Sequence, residues 1–463
     1  MGVETPATGT AAIDRDRIAE LTRVEMDKLK QRTPASRERW EQGTEVMPGG
    51  VPSSFQSIDP WPVFIERGEG SKVWDVDGNE YSDFHNGFGV VVVGHGNPHV
   101  TAAVQAQAAR GTHFAAPTQG SITVAGELRR RFKLPQWRFT NSGTESTMDA
   151  VHLARASTGR DMILKIEGSY HGHHDAVMVS VYPELEELGD RDDPRSVVYG
   201  AGYPRALTEL TRAVPFNDAE ALESVLSKLD GRVAGLIMEP AMMNINIIPP
   251  VDGYLERVRE LCSAHGVKLI FDEVKTGCTI APGGATERFG VDADMVALAK
   301  ATFGGYPGGA IGMTDELAEL VSSGEYHQYG TFNGNPLVMA ASEATLLEAL
   351  TPEAYDKLEA TNERLLSGSR ELIDRYGLPC YPEGMGAKGC VIFSAEPLRE
   401  YRDYLSKVDG DLASLAWLYH MNHGIFMTPG VEEEWTLSVA HSDDDVQRYL
   451  DAFEAFARDV TGS

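Results

Sequence analysis

The clearest candidate for chemistry is a lysine that directly follows a short apolar segment. Residues 291–300 read as a buried strand that ends in Lys300, and a glycine-rich stretch, 304–309, comes directly after it. A second apolar segment, 267–271, is followed by Asp272. A primary amine can bond covalently to an aldehyde, and a carboxylate can keep a ring nitrogen protonated. The two strand ends therefore predict covalent chemistry on an aromatic cofactor.

Pyridoxal phosphate is the cofactor that suits this pair of side chains. Its aldehyde would form a Schiff base with Lys300, and Asp272 would hold the pyridine nitrogen protonated so that the ring acts as an electron sink. Each residue alone also fits a surface position, because lysine side chains commonly extend along apolar surface to reach water. The prediction therefore depends on the residues that accompany them.

Two segments rich in hydroxyl side chains precede predicted helices and are candidates for binding a phosphate. In the segment 140–145, the hydroxyls of Ser142 and Thr144 and the backbone N–H of Gly143 would face a helix N-terminus, which favours anions. In the second segment, 330–336, Thr331 would add another hydroxyl. Both patterns are equally typical of simple helix caps.

An aromatic residue and three histidines follow the predicted strand 162–166. Tyr170 is placed to stack on a planar cofactor ring, with His171 beneath it. A metal site is the competing interpretation of this loop. It is not favoured, because the spacing of the ligand-type residues does not match a standard zinc pattern. Those residues are His171, His173, His174 and Asp175.

The order of predicted elements indicates how these residues come together. Apolar strand-like segments alternate with helical patterns, which predicts an α/β fold with a mainly parallel sheet and helices on both faces. The strand-like segments are 162–166, 233–238, 267–271 and 295–299. In such sheets a ligand lies at the carboxyl ends of the strands. Glu239, Asp272 and Lys300 all follow predicted strand ends; Glu239 would orient a polar group of the cofactor or simply end its strand.

The chain of 463 residues is long enough for more than one domain. Residues 1–12 are rich in Gly, Thr, Ala and Pro and are predicted to be a disordered tail. We assign 13–90 to an N-terminal segment of a smaller domain, 91–340 to a large cofactor-binding domain, and 341–463 to the C-terminal part of the smaller α+β domain.

Composition limits the function classes. The net charge of −28 disfavours nucleic acid and anionic membranes as partners. No apolar run reaches about 18 residues, and the N-terminus lacks the pattern of a signal peptide. The four cysteines are scattered and form no Cys-x-x-Cys pair, as expected for reduced residues of a cytoplasmic protein. A cytoplasmic location is therefore predicted.

The ordered set of motifs resembles the class III, fold-type I pyridoxal-phosphate aminotransferases. Among these it is most similar to the glutamate-1-semialdehyde aminomutase branch, which includes β-amino-acid aminotransferases. The matching stretches occur in the family order between residues 47 and 441. They are MPGGV at 47–51, WDVDGN at 74–79, GHGNP at 94–98, NSGTE at 141–145, GSYHG at 168–172, FND at 216–218, MEP at 238–240, FDEV at 271–274, LAK at 298–300, GTFNGNP at 330–336 and SVAH at 438–441.

The resemblance implies a role for each motif residue and a fold with a mainly parallel sheet of the seven-stranded type. It also implies an obligate homodimer with shared active sites. Lys300 would be the Schiff-base lysine and Asp272 the partner of the pyridine nitrogen, while Val274 and Tyr170 would lie on the two faces of the ring. Phosphate binding would fall to Ser142, Gly143 and Thr144, joined by Thr331 of the partner subunit.

The chain departs from its relatives where the substrate is expected to bind. The branch has Asn-Ser with an arginine close behind, and that arginine is expected to hold the substrate carboxylate; this chain has PSSFQ at 52–56. The candidate substrate residues are therefore Ser54, Gln56, Phe88 and a late acid, Glu433. Glutamine cannot neutralise a carboxylate, so we expect a donor whose carboxylate is absent or lies far from the reacting carbon.

These observations predict a pyridoxal-phosphate aminotransferase that moves an amino group from an amine or amino acid to a keto acid or aldehyde by a ping-pong route. An intramolecular aminomutase is the alternative within the family. A non-catalytic cofactor-binding protein on the same fold is the alternative from another class. The retained pair of Asp272 and Lys300 argues against it, since the fold alone would not require both.

Overall fold

A seven-stranded sheet lies at the centre of the protein, and three smaller sheets surround it. The computed structural model describes residues 13–191, 193–430 and 434–463, so the predicted tail 1–12 lies outside the described residues. The strands are β1 (Ile65–Glu69), β2 (Lys72–Asp75), β3 (Glu80–Asp83), β4 (Gln136–Thr140), β5 (Met162–Ile166), β6 (Gly189–Asp190), β7 (Asp193–Pro194), β8 (Thr211–Val214), β9 (Val233–Met238), β10 (Lys268–Asp272), β11 (Met295–Leu298), β12 (Gly309–Met313), β13 (Tyr381–Met385), β14 (Lys388–Ile392), β15 (Ile425–Phe426) and β16 (Glu434–Thr436).

Helices cover the sheets and form both ends of the described chain. They are α1 (Arg15–Arg32), α2 (Pro34–Thr44), α3 (Asn86–Gly89), α4 (Pro98–Ala108), α5 (Gln119–Phe132), α6 (Gly143–Thr158), α7 (Leu207–Leu210), α8 (Ala219–Lys228), α9 (Tyr254–His265), α10 (Gly284–Phe289), α11 (Asp315–Ser322), α12 (Pro336–Ala344), α13 (Pro352–Tyr376), α14 (Tyr401–Lys407), α15 (Gly410–Asn422) and α16 (Asp443–Thr461).

The central sheet has the strand order β4-β12-β11-β10-β9-β5-β8. The strands from β8 to β11 pair in parallel, whereas β12 is antiparallel to both of its neighbours. Strands β5, β9 and β11 are buried along their whole length. Parallel strands covered on both faces need nearly continuous apolar sequences, and these three have them. The predicted α/β fold with a mainly parallel sheet is confirmed.

The N-terminal and C-terminal parts of the chain share a sheet. Strands β2 and β3 form an antiparallel hairpin around the Asp77-Gly78 turn. Strand β3 pairs in parallel with β15, so that Ser82 lies opposite Ile425. Strands β13, β14 and β16, all from the C-terminal part of the chain, form a separate antiparallel sheet. The assigned boundaries at residues 90 and 340 stay predictions.

Two further features bear on location. No helix in the described ranges has the length and apolar character needed to cross a membrane. All four cysteines are buried. The cytoplasmic location stays a prediction.

Candidate active site

Lys300 lies two residues after the end of β11, where the chain leaves the sheet. Its backbone has φ of +47°, in the left-handed region that residues other than glycine rarely adopt, and it begins a tight turn that runs from Lys300 to Phe303. Such strained backbone is concentrated at functional sites. Burial, together with the positive charges of Lys275 and Lys388, lowers the pKa of Lys300 to about 7. A sizeable fraction of this amine is therefore neutral, and nucleophilic, near neutral pH.

Asp272 is the last residue of β10, and protein groups hold both of its carboxylate oxygens. Its Oδ1 accepts the backbone N–H of Val274 at 3.0 Å, and its Oδ2 lies 2.8 Å from Nδ1 of His171. The other ring nitrogen of His171 lies 2.9 Å from Oγ of Ser169. His171 therefore lies beside the acid and fixes its orientation, while its predicted place beneath Tyr170 stays a prediction.

The predicted phosphate segment forms the start of α6. Oγ of Ser142 accepts the N–H of Glu145 at 3.2 Å, so this hydroxyl caps the helix. Oγ1 of Thr144 accepts the N–H of His173 at 3.1 Å and also lines the cavity described below. A Cβ on Gly143 would lie 2.9 Å from the Val274 side chain, so only glycine allows this close approach.

Glu239 follows β9 and anchors the backbone around Tyr170. Its carboxylate accepts the N–H of Tyr170 at 3.3 Å, the N–H of Met243 at 2.9 Å and the amide of Asn244 at 2.8 Å. Burial raises the pKa of Glu239. The structure thus gives Glu239 an orienting position at the cavity wall.

All of the predicted catalytic and cofactor-binding residues except Ser142 and Thr331 line one cavity of about 170 Å³. Its lining residues are Gly143, Thr144, Tyr170, His171, Gly172, Glu239, Asn244, Asp272, Val274, Lys275, Ala299 and Lys300. A phosphorylated pyridine aldehyde needs an amine to bond with, a carboxylate for its ring nitrogen, an aromatic ring to stack on and a hydroxyl at a helix N-terminus for its phosphate. The residues present therefore fit pyridoxal phosphate.

Three of the four candidate substrate residues do not line the Lys300 cavity, and the fourth lies outside the described residues. Ser54 and Gln56 form an exposed turn in which the Gln56 side chain accepts the N–H of Ser53 at 3.2 Å. Phe88 packs edge-to-face on Phe55 with ring centroids 5.0 Å apart. Gln56 and Phe88 line a mainly apolar cavity of about 380 Å³ that shares no lining residue, among those described, with the Lys300 cavity. Glu433 lies outside the described residues.

Thr331 lies on an exposed loop and is not among the described residues that line its own chain's Lys300 cavity. The loop is tied to the start of α6 by a hydrogen bond of 2.9 Å from the Asn141 amide to Oδ1 of Asn333. It lines a second, open cavity together with His113 and Phe114.

Sequence reasoning missed a charged cluster beside the predicted site. Lys275, which lines the Lys300 cavity, forms an ion pair with Glu434 at 2.8 Å, and Lys388 pairs with the other oxygen of the same carboxylate. No short motif marks these three residues, because they come from distant parts of the chain. In the described part of the chain, no group of three or more His, Cys, Asp or Glu side chains is arranged to hold a metal ion.

Comparison with known proteins places this site in a family. The family model for class-III aminotransferases matches residues 54–395 of this chain. The chain is 36% identical over 431 residues to a glutamate-1-semialdehyde 2,1-aminomutase of Methanopyrus kandleri, covering 93% of this chain and 98% of that protein.

Two solved structures are also similar. An omega-transaminase from Sphaerobacter thermophilus has a TM-score of 0.88 at 32% identity, covering 92% of this chain and 98% of that one. A glutamate-1-semialdehyde aminomutase from Pseudomonas aeruginosa in complex with PMP has a TM-score of 0.90 at 28% identity, covering 97% of this chain and all of that one.

The lowered pKa of Lys300 has a consequence for the stability of the cofactor-free protein. Between pH 7 and 10.5 the unfolded chain binds a proton at this lysine that the folded chain does not, so stability rises with pH over this window. Lys300→Met should therefore be more stable than the wild type at pH 7. That advantage should shrink by at least about 1 kcal/mol as the pH approaches 10.

The measurement is urea unfolding of the cofactor-free proteins at pH 7, 8, 9 and 10. Lys30→Met on the exposed side of α1 is the matched control and should show no such trend. An advantage of Lys300→Met that is constant with pH would show that the amine titrates normally in the fold.

Proposed function

The chain belongs to the class-III aminotransferase family of pyridoxal-phosphate-dependent enzymes, and from this premise we propose that it transfers an amino group between two different small molecules. The donor is an amine or amino acid, and the acceptor is a keto acid or aldehyde. The observation that carries the proposal is the presence of Lys300 and Asp272 in one buried cavity, at the carboxyl ends of neighbouring parallel strands.

Each residue of the cavity has a role in holding the cofactor. Lys300 would bond to it covalently, and Asp272 would face its ring nitrogen. Thr144 and the N-terminus of α6 would receive the phosphate, with Val274 and Tyr170 on the two faces of the ring. Pyridoxal phosphate supplies the electron sink that stabilises negative charge at the substrate carbon.

The proton transfers are assigned to the Nζ atom of Lys300. When a substrate amine takes its place, this Nζ atom would accept the proton that leaves the substrate carbon and would deliver it to the former aldehyde carbon of the cofactor, so that the lysine ends the transfer neutral again. A base works best when its pKa is near the working pH, and the pKa of Lys300 is about 7. Asp272 stays fixed through His171 and Val274 while this occurs.

An aminomutase is the second candidate function. It is favoured by the similarity to the glutamate-1-semialdehyde aminomutases, which extends over more than nine-tenths of the chain. It is opposed by the 52–56 segment, which lacks the arginine expected in that branch, and by the transaminase among the similar structures. The two functions differ in whether a second substrate is needed.

The first prediction under this proposal concerns that requirement. With the cofactor bound, 1-phenylethylamine or a β-amino acid should be turned over many times only when a keto acid such as pyruvate is added. Without the acceptor, one equivalent of product per subunit should form and the reaction should stop. Lys300→Ala is the control and should not turn over. If glutamate-1-semialdehyde is isomerised catalytically without an acceptor, at a kcat/KM at least about tenfold above those donors, the aminomutase function replaces the one proposed here.

The second prediction concerns Asp272. Asp272→Asn should keep the fold and bind the cofactor, because the phosphate and ring contacts remain. Its kcat should fall by roughly 100-fold or more, since a neutral amide cannot hold the ring nitrogen protonated. Asp175→Asn makes the same chemical change at an exposed position on the loop after β5 and should keep normal turnover. An Asp272→Asn enzyme with most of the wild-type rate would refute the role.

We propose further that the active protein is a homodimer and that Thr331 completes the partner's site. Exposed large apolar side chains surround the Thr331 loop: Tyr329 is 85% exposed, Phe332 57% and Phe114 51%. An apolar patch of this kind on a protein surface indicates a protein interface.

Mixing two inactive variants tests this arrangement. Lys300→Ala should be inactive because it lacks the reactive amine. Thr331→Asp should be inactive because the new carboxylate repels the cofactor phosphate of the partner's site. A hybrid dimer has one site with both native residues. Random mixing should therefore restore about a quarter of the wild-type activity. Phe332→Asp should dissociate the dimer in light scattering, whereas Val251→Asp on another exposed loop should not. A fully active wild-type monomer would contradict the proposal.

A further inference from the structure

Lys165 is a completely buried lysine in the central sheet, and the proton transfers assigned above do not use it. It is the fourth residue of β5, and its side chain is 0% exposed. Ala213 of β8 and Ile237 of β9 lie opposite it on the two neighbouring strands. Lysine is rarely buried completely, because its amine loses its contacts with water unless other polar groups replace them. The groups that replace water therefore indicate what Lys165 does.

The side chain of Lys165 reaches the chain segment that follows β5, residues 167–180, which we call the 167–180 segment. Its Nζ atom donates to the backbone carbonyl of Ser169 at 2.8 Å and to that of Val179 at 2.6 Å. A third carbonyl, that of Ser180, lies 3.5 Å away. Ser169 lies near the start of the segment and Val179 near its end, so one side chain joins the two ends.

The hydrogen bonds of Lys165 do not depend on its charge. Burial lowers the pKa of Lys165 to about 7, although the carboxylates of Glu239 and Glu167 oppose this shift. A protonated amine has three N–H donors and a neutral amine has two, while two carbonyls lie within 2.8 Å. Both forms of the amine can therefore hold Ser169 and Val179.

The 167–180 segment also carries a residue that holds the acid of the predicted cofactor site. The hydroxyl of Ser169 lies 2.9 Å from Nε2 of His171, and Nδ1 of His171 lies 2.8 Å from Oδ2 of Asp272. Ser169 is thus held at its carbonyl by Lys165 and contacts His171 with its side chain. A continuous series of contacts runs from Lys165 to Asp272.

Other contacts anchor the 167–180 segment independently of Lys165. The backbone N–H of Gly168 donates to the carbonyl of Ser180 at 3.0 Å. The buried carboxylate of Glu167 forms a two-pronged ion pair with Arg402, with distances of 2.8 and 2.9 Å. These contacts should keep the segment folded when Lys165 is replaced. The lysine would then govern the fine placement of the segment.

We propose that Lys165 is a positioning residue for the amino transfer, which acts through Ser169 and His171 to hold the Asp272 carboxylate where the ring nitrogen of the cofactor needs it. This inference rests on the proposed function and extends it to a residue that does not line the Lys300 cavity. A displaced carboxylate would bind the ring nitrogen less well, because hydrogen bonds weaken steeply when their geometry is poor. The cofactor would then be a weaker electron sink.

Two variants and one control separate positioning from general stability. Lys165→Met keeps a long apolar side chain and removes the donor. Ser169→Ala removes the next contact in the series, leaves the lysine in place, and decides the question if Lys165→Met does not fold. Arg160→Met is the matched control, because Arg160 also donates to three backbone carbonyls, but at the amino ends of β9 and β10. It should lose stability to urea and leave the site unchanged.

The first measurement uses the cofactor-loaded proteins without any substrate. The pH midpoint of the cofactor absorption change reports the charge around the ring and needs no turnover. This midpoint should shift in Lys165→Met and in Ser169→Ala, in the same direction as in Asp272→Asn. Arg160→Met should keep the midpoint of the wild type.

The second measurement is a double-mutant cycle in kcat. Lys165→Met alone should lower kcat at least about tenfold, because a small misplacement of a catalytic group is costly. When it is added to Asp272→Asn, it should lower kcat less than about twofold further, since the carboxylate that it positions is already absent. Ser169→Ala should show the same dependence on Asp272. A residue with a merely structural role would lower kcat equally in both backgrounds.

The inference is overturned if Lys165→Met leaves the midpoint at the wild-type value, or if it lowers kcat equally in the wild type and in Asp272→Asn. The same outcomes for Ser169→Ala overturn it where Lys165→Met does not fold. A shift of equal size in Arg160→Met would also overturn it, because any loss of stability would then be sufficient. If the midpoints shift as expected but the wild type transfers no amino group, the proposed function fails and the placement of Asp272 by Lys165 does not.

Discussion

Three neighbouring parallel strands determine where the chemistry of this protein can occur. Strand β10 lies between β9 and β11, and its register places Phe271 opposite both Met238 and Val296. Because parallel strands end at the same edge of a sheet, the residues at or just after their carboxyl ends, Glu239, Asp272 and Lys300, meet at one place. A shift of one residue in this register would turn each side chain to the opposite face. The apolar sequences of the three strands therefore hold the site as well as the core.

Burial disfavours the charged forms of both the acids and the amines of the site, but neighbouring groups compensate the two to different extents. Each acid is compensated by fixed donors: Asp272 by His171 and a backbone N–H, and Glu239 by two backbone N–H groups and an amide. For Lys300, burial and the nearby Lys275 and Lys388 penalise the charged form more than Glu434 and Asp272 favour it, so its pKa is lowered. A protein interior makes unpaired charge expensive, and here that cost prepares an amine for bond formation and proton transfer near neutral pH.

Local sequence patterns predicted the parts of the structure that depend on neighbours along the chain. Strands β5, β9, β10 and β11 agree with the predicted segments within one residue at each end. Strand β12 was missed because its glycines resemble a loop; they are required because a Cβ at Gly309 or Gly312 would collide with Thr140 or Trp137 on β4. The charged cluster of Lys275, Lys388 and Glu434 was missed for a different reason: Lys275 and Glu434 are 159 positions apart, and only the tertiary fold brings them together.

The net charge of the whole chain and the local charges of its cavity act over different distances, so the first does not decide what the second binds. The net charge of −28 comes from an excess of acids over the whole chain. It repels large polyanionic partners, and this repulsion falls off within about 10 Å at ordinary salt. Inside the cavity, screening by salt is weak and a few fixed groups dominate. The N-terminus of α6 and the hydroxyl of Thr144 are such groups, and they favour a small anion such as a phosphate. An acidic overall composition is thus compatible with a site that binds a phosphate.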